Sequence, residues 1–195
     1  MKLKITLLSF SAVASLSLAA PMDFDFKDPK GVNNAVFKLD APLEAISGNA
    51  TGISGSVSFD PAAPGATKGK IVVASSSLHL GNPMQLQHLK GDKWLDVAKF
   101  PDISFEAKEL KNVKTAGDTT TADARGSFTL KGVTKDITIP VKLTYLKDKL
   151  SARIPNLKGD LLVIRSTFTI KRSDYGINPG QGEDKAVASR TGGMA

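Results

Sequence analysis

Two stretches of this chain place a charge or a hydroxyl at nearly every second residue, and that rhythm excludes most folds. Along residues 136–145, Ile137, Ile139, Val141, Leu143 and Tyr145 fall on one side, with Asp136, Thr138, Lys142 and Thr144 on the other. Along 162–171, Leu162, Ile164, Phe168 and Ile170 oppose Arg165, Thr167, Thr169 and Lys171. A period of two is the period of a strand, which sends alternate side chains to opposite faces of a sheet. Strands buried on both faces could not carry Lys or Arg every second residue. The pattern predicts antiparallel strands, each with one apolar face and one wet face.

Eight such segments recur with turn residues between them: Asn34 to Leu39, Leu43 to Gly48, Ile53 to Asp60, Lys68 to Ser76, Ile103 to Leu110, Thr119 to Leu130, Val133 to Tyr145 and Asp160 to Lys171. Eight antiparallel strands, wet outside and apolar inside, close most readily into a barrel, because closure removes exposed edges. A two-sheet sandwich satisfies the same pattern. One stretch breaks the rhythm. Between Asn82 and Phe105, Asn82 suits a helix N-cap and Pro83 the first helical position. Met84 and His88 lie four apart with Leu89 beside them, and Trp94, Leu95, Val97 and Phe100 add apolar bulk. A short helix of this kind inside an all-β chain is expected to cap one end of the barrel.

The insert resembles that of the YceI-like, polyisoprenoid-binding family in His88-Leu89, Trp94-Leu95-Asp96-Val97 and Phe100-Pro101-Asp102-Ile103-Ser104-Phe105. Three more pieces resemble family motifs in the same order: Gly55-Ser56-Val57-Ser58-Phe59-Asp60-Pro61, the run from Gly126 to Gly132 with Val133-Thr134-Lys135, and Arg172-Ser173-Asp174-Tyr175-Gly176-Ile177. The resemblance covers roughly residues 34 to 178. It implies a lipocalin-like barrel with a polyisoprenoid, such as a quinone or prenyl chain, bound inside, and no catalytic cofactor.

Residues 1–19 read as a secretory signal: Lys2 and Lys4, an apolar run from Ile5 through Leu18, then small residues. The run is short and rich in Ser and Ala for a membrane-spanning helix. A periplasmic or secreted protein is expected, with residues 22–178 as the barrel domain and 179–195 as a flexible tail. The formal charge is +7, falling to +5 without the two leader lysines. Transient contact with anionic membrane surfaces is compatible with that charge. Nucleic acid is not expected, because the cations are spread and not interleaved with stacking aromatics. With no Cys, disulfides and thiolate metal sites are excluded.

Enzymatic readings find little support. His79 and His88 are the only histidines, and no metal-binding or phosphate-cradling motif is present. Hydrolysis of an isoprenyl ester by His88 with an Asp would be the form catalysis takes, if any. The inward set is mostly medium-sized and aromatic content is 6%, which leaves room for an unfilled tunnel. Strands of eight to ten residues at about 3.3 Å each give a bore of roughly 25–35 Å, the length of an extended prenyl or acyl chain. The candidate lining is Ile103, Phe105, Phe128, Ile139, Leu143, Ile164 and Phe168, with Met84, His88, Trp94 and Phe100 as lid or mouth. Each has a plain alternative as core. His88 could instead fix the helix to Asp96 or a carbonyl, and Arg172 with Asp174 could be a turn-stabilising pair. The competing function is a non-enzymatic envelope stress or adhesion module with a filled core and a basic outer face.

Two departures from the family stand out. Family members usually carry a His near the end of the first barrel strand, where Asp40-Ala41-Pro42 stands here. After Asn178, where the family returns a final apolar strand, residues 180–195 read GQGEDKAVASRTGGMA. Either the barrel closes without that strand or it has an open seam, which would favour a homodimer.

Overall fold

The computed structural model describes residues 20–26, 28–41, 44–177 and 185–194. The expected signal, residues 1–19, lies outside them. In chain order the elements are β1 (Met22–Asp25), β2 (Asn34–Ala41), β3 (Glu44–Ala50), β4 (Ile53–Phe59), β5 (Lys68–Ala74), β6 (Leu78–Leu80), α1 (Pro83–Lys90), β7 (Asp102–Ala116), β8 (Thr119–Leu130), β9 (Val133–Leu146), α2 (Leu150–Arg153), β10 (Leu161–Lys171) and β11 (Lys185–Met194). All strands join one antiparallel sheet in the order β1-β4-β5-β7-β8-β9-β10-β11-β2-β3-β6. The eight expected strands are β2 to β5 and β7 to β10. The described residues add β1, β6 and β11, making eleven.

Topology explains why the sheet curls. β3 and β4 stand next to opposite ends of the strand order, yet only Thr51 and Gly52 separate them in sequence. Two residues span only about 7 Å, so the far ends of the sheet are drawn together. That geometry is a curled antiparallel barrel rather than the sandwich. Its inner face follows the alternation. On β8, Thr120, Ala122, Ala124, Gly126, Phe128 and Leu130 are buried, while Thr121 and Arg125 are exposed.

The tail expected from residue 179 onward is corrected by β11. Residues 179–184 lie outside the described set, but Lys185–Met194 pairs with β10 along ten residues and with β2 along six. The strand fills the seam on which the expectation of a homodimer rested. Its run Ala186-Val187-Ala188-Ser189 has too few large side chains to reveal itself by hydropathy. Neighbours on both sides supply the backbone pairing instead.

The core divides into two clusters. One, beneath the helix, contains Leu78, Leu80, Leu89, Leu95, Phe128 and Tyr175. The other gathers Phe24, Phe26, Phe59, Val57, Leu143 and Leu162. Near it, Arg153 Nη2 lies 3.3 Å from Asp28 Oδ2 and donates to Asn33 Oδ1 at 2.9 Å, tying the β1–β2 connection to α2. Gly55, first residue of one family-like motif, has φ +114°, and a Cβ there would stand 2.0 Å from the Lys70 carbonyl oxygen. Only Gly meets both demands.

Tyr145 joins this second cluster to the connection after α2. Its hydroxyl donates to Asp160 Oδ2 at 2.5 Å, and the Asp148 N–H donates to Asp160 Oδ1 at 2.8 Å. Burial, then the bond to Asp160, pushes the tyrosine up to about 12. The Tyr145 hydroxyl, with the Asp148 N–H, holds the Asp160 carboxyl below its usual range. The signs are opposite in consequence. Stability from Asp160 is present above the ordinary carboxylate pKa, about 4, and lost as pH falls through its depressed value. Stability from Tyr145 is present below its ordinary value, about 10, and lost as pH rises through its folded value. Urea midpoints of the protein and of Tyr145→Phe should therefore differ by a constant amount between about pH 5 and 9. The gap should narrow below about pH 4 and above about pH 10. A gap that does not change with pH would show that the bond leaves neither titration shifted.

Candidate functional site

The two clusters leave space between them. A cavity of about 260 Å³ runs inside the barrel, walled by residues of both clusters and by inward positions of the strands around it. That is close to the lower end of small-molecule sites, roughly 300–1,000 Å³. Its wall is almost wholly carbon. The core is not filled, which removes the premise of a packed-core module.

Small residues make the space. Ala35, Ala50, Gly69, Ala107, Ala124 and Ala188 all line it, where larger side chains would occupy it. Gly69 is small because it must be: a Cβ there would meet the Ser56 carbonyl oxygen and Val57 Cγ2, each at 2.6 Å. The small lining residues are absent from the sequence-derived set, although one signal for them existed. Carrying the alternation back from Phe128 puts Ala124, which lines the cavity, in an inward row with Gly126 and Ala122.

Ile103, Phe105, Phe128 and Ile139 from the sequence reading stand in the cavity wall. Leu143, Ile164, Phe168 and Trp94 do so as well. Phe128 meets Phe168 edge-on with centroids 5.7 Å apart, so these two rings brace each other from β8 and β10. Met84, His88 and Phe100 are not in the wall, and their expected place at the lid or mouth is corrected. Met84 is 67% exposed and His88 is exposed as well. The cause is helical geometry. Asn82 caps α1 through its Oδ1, accepting from the Met84 and Gln85 N–H groups at 2.9 and 3.3 Å. Leu86 and Leu89 then turn toward the core. Met84 and His88 share the opposite side, since residues four apart coincide while those two or five apart do not. Phe100 packs elsewhere: its ring would lie 2.4 Å from a Cβ on Gly132, so it clasps the β8–β9 turn.

Leu89 and Leu95, not among the expected lining residues, take the place at the helical end. Beside them Arg172 is buried in the wall, its guanidinium 5.1 Å from the Trp94 ring centroid. Ser173–Tyr175 form a 3-10 turn ended by Gly176 at φ +63°. Tyr175 is 2% exposed, edge-on to Phe128 at 5.6 Å, and burial raises its hydroxyl pKa, with the Asp174 charge adding to the effect. Asp174 pairs with Lys135 at 3.1 Å, not with Arg172 in the expected turn pair. Among the described residues, no three His, Asp or Glu side chains come together in a way that could hold a metal.

Comparison with known proteins agrees with this architecture. The YceI-like domain family model matches residues 29–191. A UPF0312 protein of Yersinia pestis is 38% identical over 99 residues, 51% of this chain and 49% of its own length. Another from Pseudomonas aeruginosa is 33% identical over 132 residues, 68% of this chain and 63% of its own. The chain thus spans about half to two thirds of the length of these curated relatives. Burkholderia cenocepacia BcnA superposes with a TM-score of 0.64 at 19% identity, covering 84% of this chain and 95% of that one. A polyisoprenoid binding domain from Saccharophagus degradans, described as implicated in plant cell wall breakdown, gives 0.64 at 11% identity, covering 88% and 97%. These two structural likenesses are of fold.

Proposed function

This chain belongs to the YceI-like family, and from that premise we propose that its barrel takes up the apolar tail of a long-chain isoprenoid or related lipid. The reading includes quinone, prenyl and fatty chains, held for carriage, storage or sequestration in the cell envelope. It places the mature protein in the periplasm or outside the cell, touching membranes only to load and unload. Binding, not turnover, is the proposed activity.

The observation that carries this reading is the carbon-walled cavity of about 260 Å³. A tail that fills it gains about 0.8 kcal/mol per methylene removed from water. The polyisoprenoid binding domain of Saccharophagus degradans, similar in fold, supports a prenyl chain as the first candidate.

Native mass spectrometry of protein purified without detergent tests the proposal. The expected result is a mass increment near one lipid per chain, identified after solvent extraction as an isoprenoid or fatty chain. Protein that emerges without lipid, and takes up neither a polyprenol nor a long fatty acid when offered them, would sink it.

A further inference from the structure

Among the described residues, five side chains bearing a charge or a hydroxyl stand around the cavity: Thr67, Lys68, Ser104, Ser166 and Arg172. Their polar groups are either already engaged or set in the outward row. The Thr67 hydroxyl donates to the Pro64 carbonyl at 2.6 Å, and the Ser166 hydroxyl to the Pro140 carbonyl at 2.7 Å. Pro140 has no N–H, and the ladder between β9 and β10 stops beside it at Val141 and Ser166, so this hydroxyl serves the wall. Lys68 is exposed and pairs with Ser58, in the outward row between inward Val57 and Phe59. Ser104 pairs with Val72, in the outward row between Ile103 and Phe105. Arg172 lies with its guanidinium over the Trp94 ring and is engaged by a further partner besides.

A phosphate, carboxylate or quinone head drawn into such a wall would lose its water and meet donors that are already engaged. That costs several kcal/mol for a neutral polar group and far more for an ion. We infer that the barrel reads the tail alone, and that the head group of the ligand stays in water outside the cavity. The inference rests on the tail-binding reading above and narrows it: the ligand class is defined by an unbranched or prenyl chain of fitting length, whatever polar group ends it. Selection is then by chain length, because each methylene is worth about a fourfold change in affinity until the space is full. The same cavity would serve alcohols, phosphates, acids and quinones that share a tail.

The protein carries its own reporter, since Trp94 is the single tryptophan and lines the cavity. Delipidated full-length protein is titrated by Trp94 fluorescence at about 0.15 M salt, where exposed charges are screened beyond about 8 Å. The first series keeps a farnesyl tail and varies the head among alcohol, phosphate and a polyethylene glycol ether too large to enter. The second keeps the alcohol and varies the tail from geraniol to geranylgeraniol. The expected result is less than threefold variation across heads, including the oversized one, and steep tightening with tail length that levels off. A head preference above tenfold, or exclusion of the polyethylene glycol ether, overturns head-blind selection while leaving tail binding in place. Failure of every tail to bind overturns the tail-binding reading itself.

Discussion

A chain ended at residue 184 is expected to lose its cooperative fold. The missing segment, β11, lies between β10 and β2, with ten residue pairs on one side and six on the other. Even at about 0.5 kcal/mol net per lost hydrogen bond, the sum approaches the roughly 5–15 kcal/mol on which a domain stands. The cut also leaves two strands with bare edges and removes Ala188 from the cavity wall. Circular dichroism and urea unfolding should show a broad transition or none, with association through the exposed edges at micromolar concentration. A truncated monomer that unfolds at the same urea midpoint as the full chain would mean that the barrel closes without β11.

That strand marks where sequence reasoning stopped. The alternation on β9 and β10 is legible because Ile, Leu and Phe contrast sharply with Lys, Arg and Thr, and a one-residue slip would invert every side chain. β11 reads KAVASRTGGM, mostly small residues with little hydropathic contrast, and its place is fixed by pairing with β10 and β2. The short β1 and β6 escaped for another reason. Met22 to Asp25 and Leu78 to Leu80 hold too few residues to display a period. The insert was legible as a capped helix, since Asn82 and Pro83 are local signals. Which of its faces looks inward was not, because Met84 and His88 on one side compete with Leu86 and Leu89 on the other. Only packing against Leu78, Leu80 and Leu95 decides between them. The cavity was foreseen as a shortage of bulk, while the residues that cause it, the inward alanines and Gly69, carry no hydropathic signature of their own.

Ala124→Phe is expected to abolish tail binding while keeping the fold. Ala124 is buried on β8, opposite Leu110 of β7 and Ile139 of β9, and all three line the cavity. In a packed core an enlarged side chain costs about 1–3 kcal/mol through displaced neighbours. Here the added ring has vacant space to enter, so the urea midpoint should hold or rise. The ring takes the place of several methylene-sized groups of the ligand. At about 0.8 kcal/mol each, excluding four of them weakens binding by more than a hundredfold. Thr121→Phe is the matched control, because Thr121 is exposed on the outer row of the same strand. It should bind farnesol, titrated by Trp94 fluorescence, within twofold of the unmodified protein. Folded Ala124→Phe that bound farnesol with undiminished affinity would place the lipid outside the barrel, whatever the space within it.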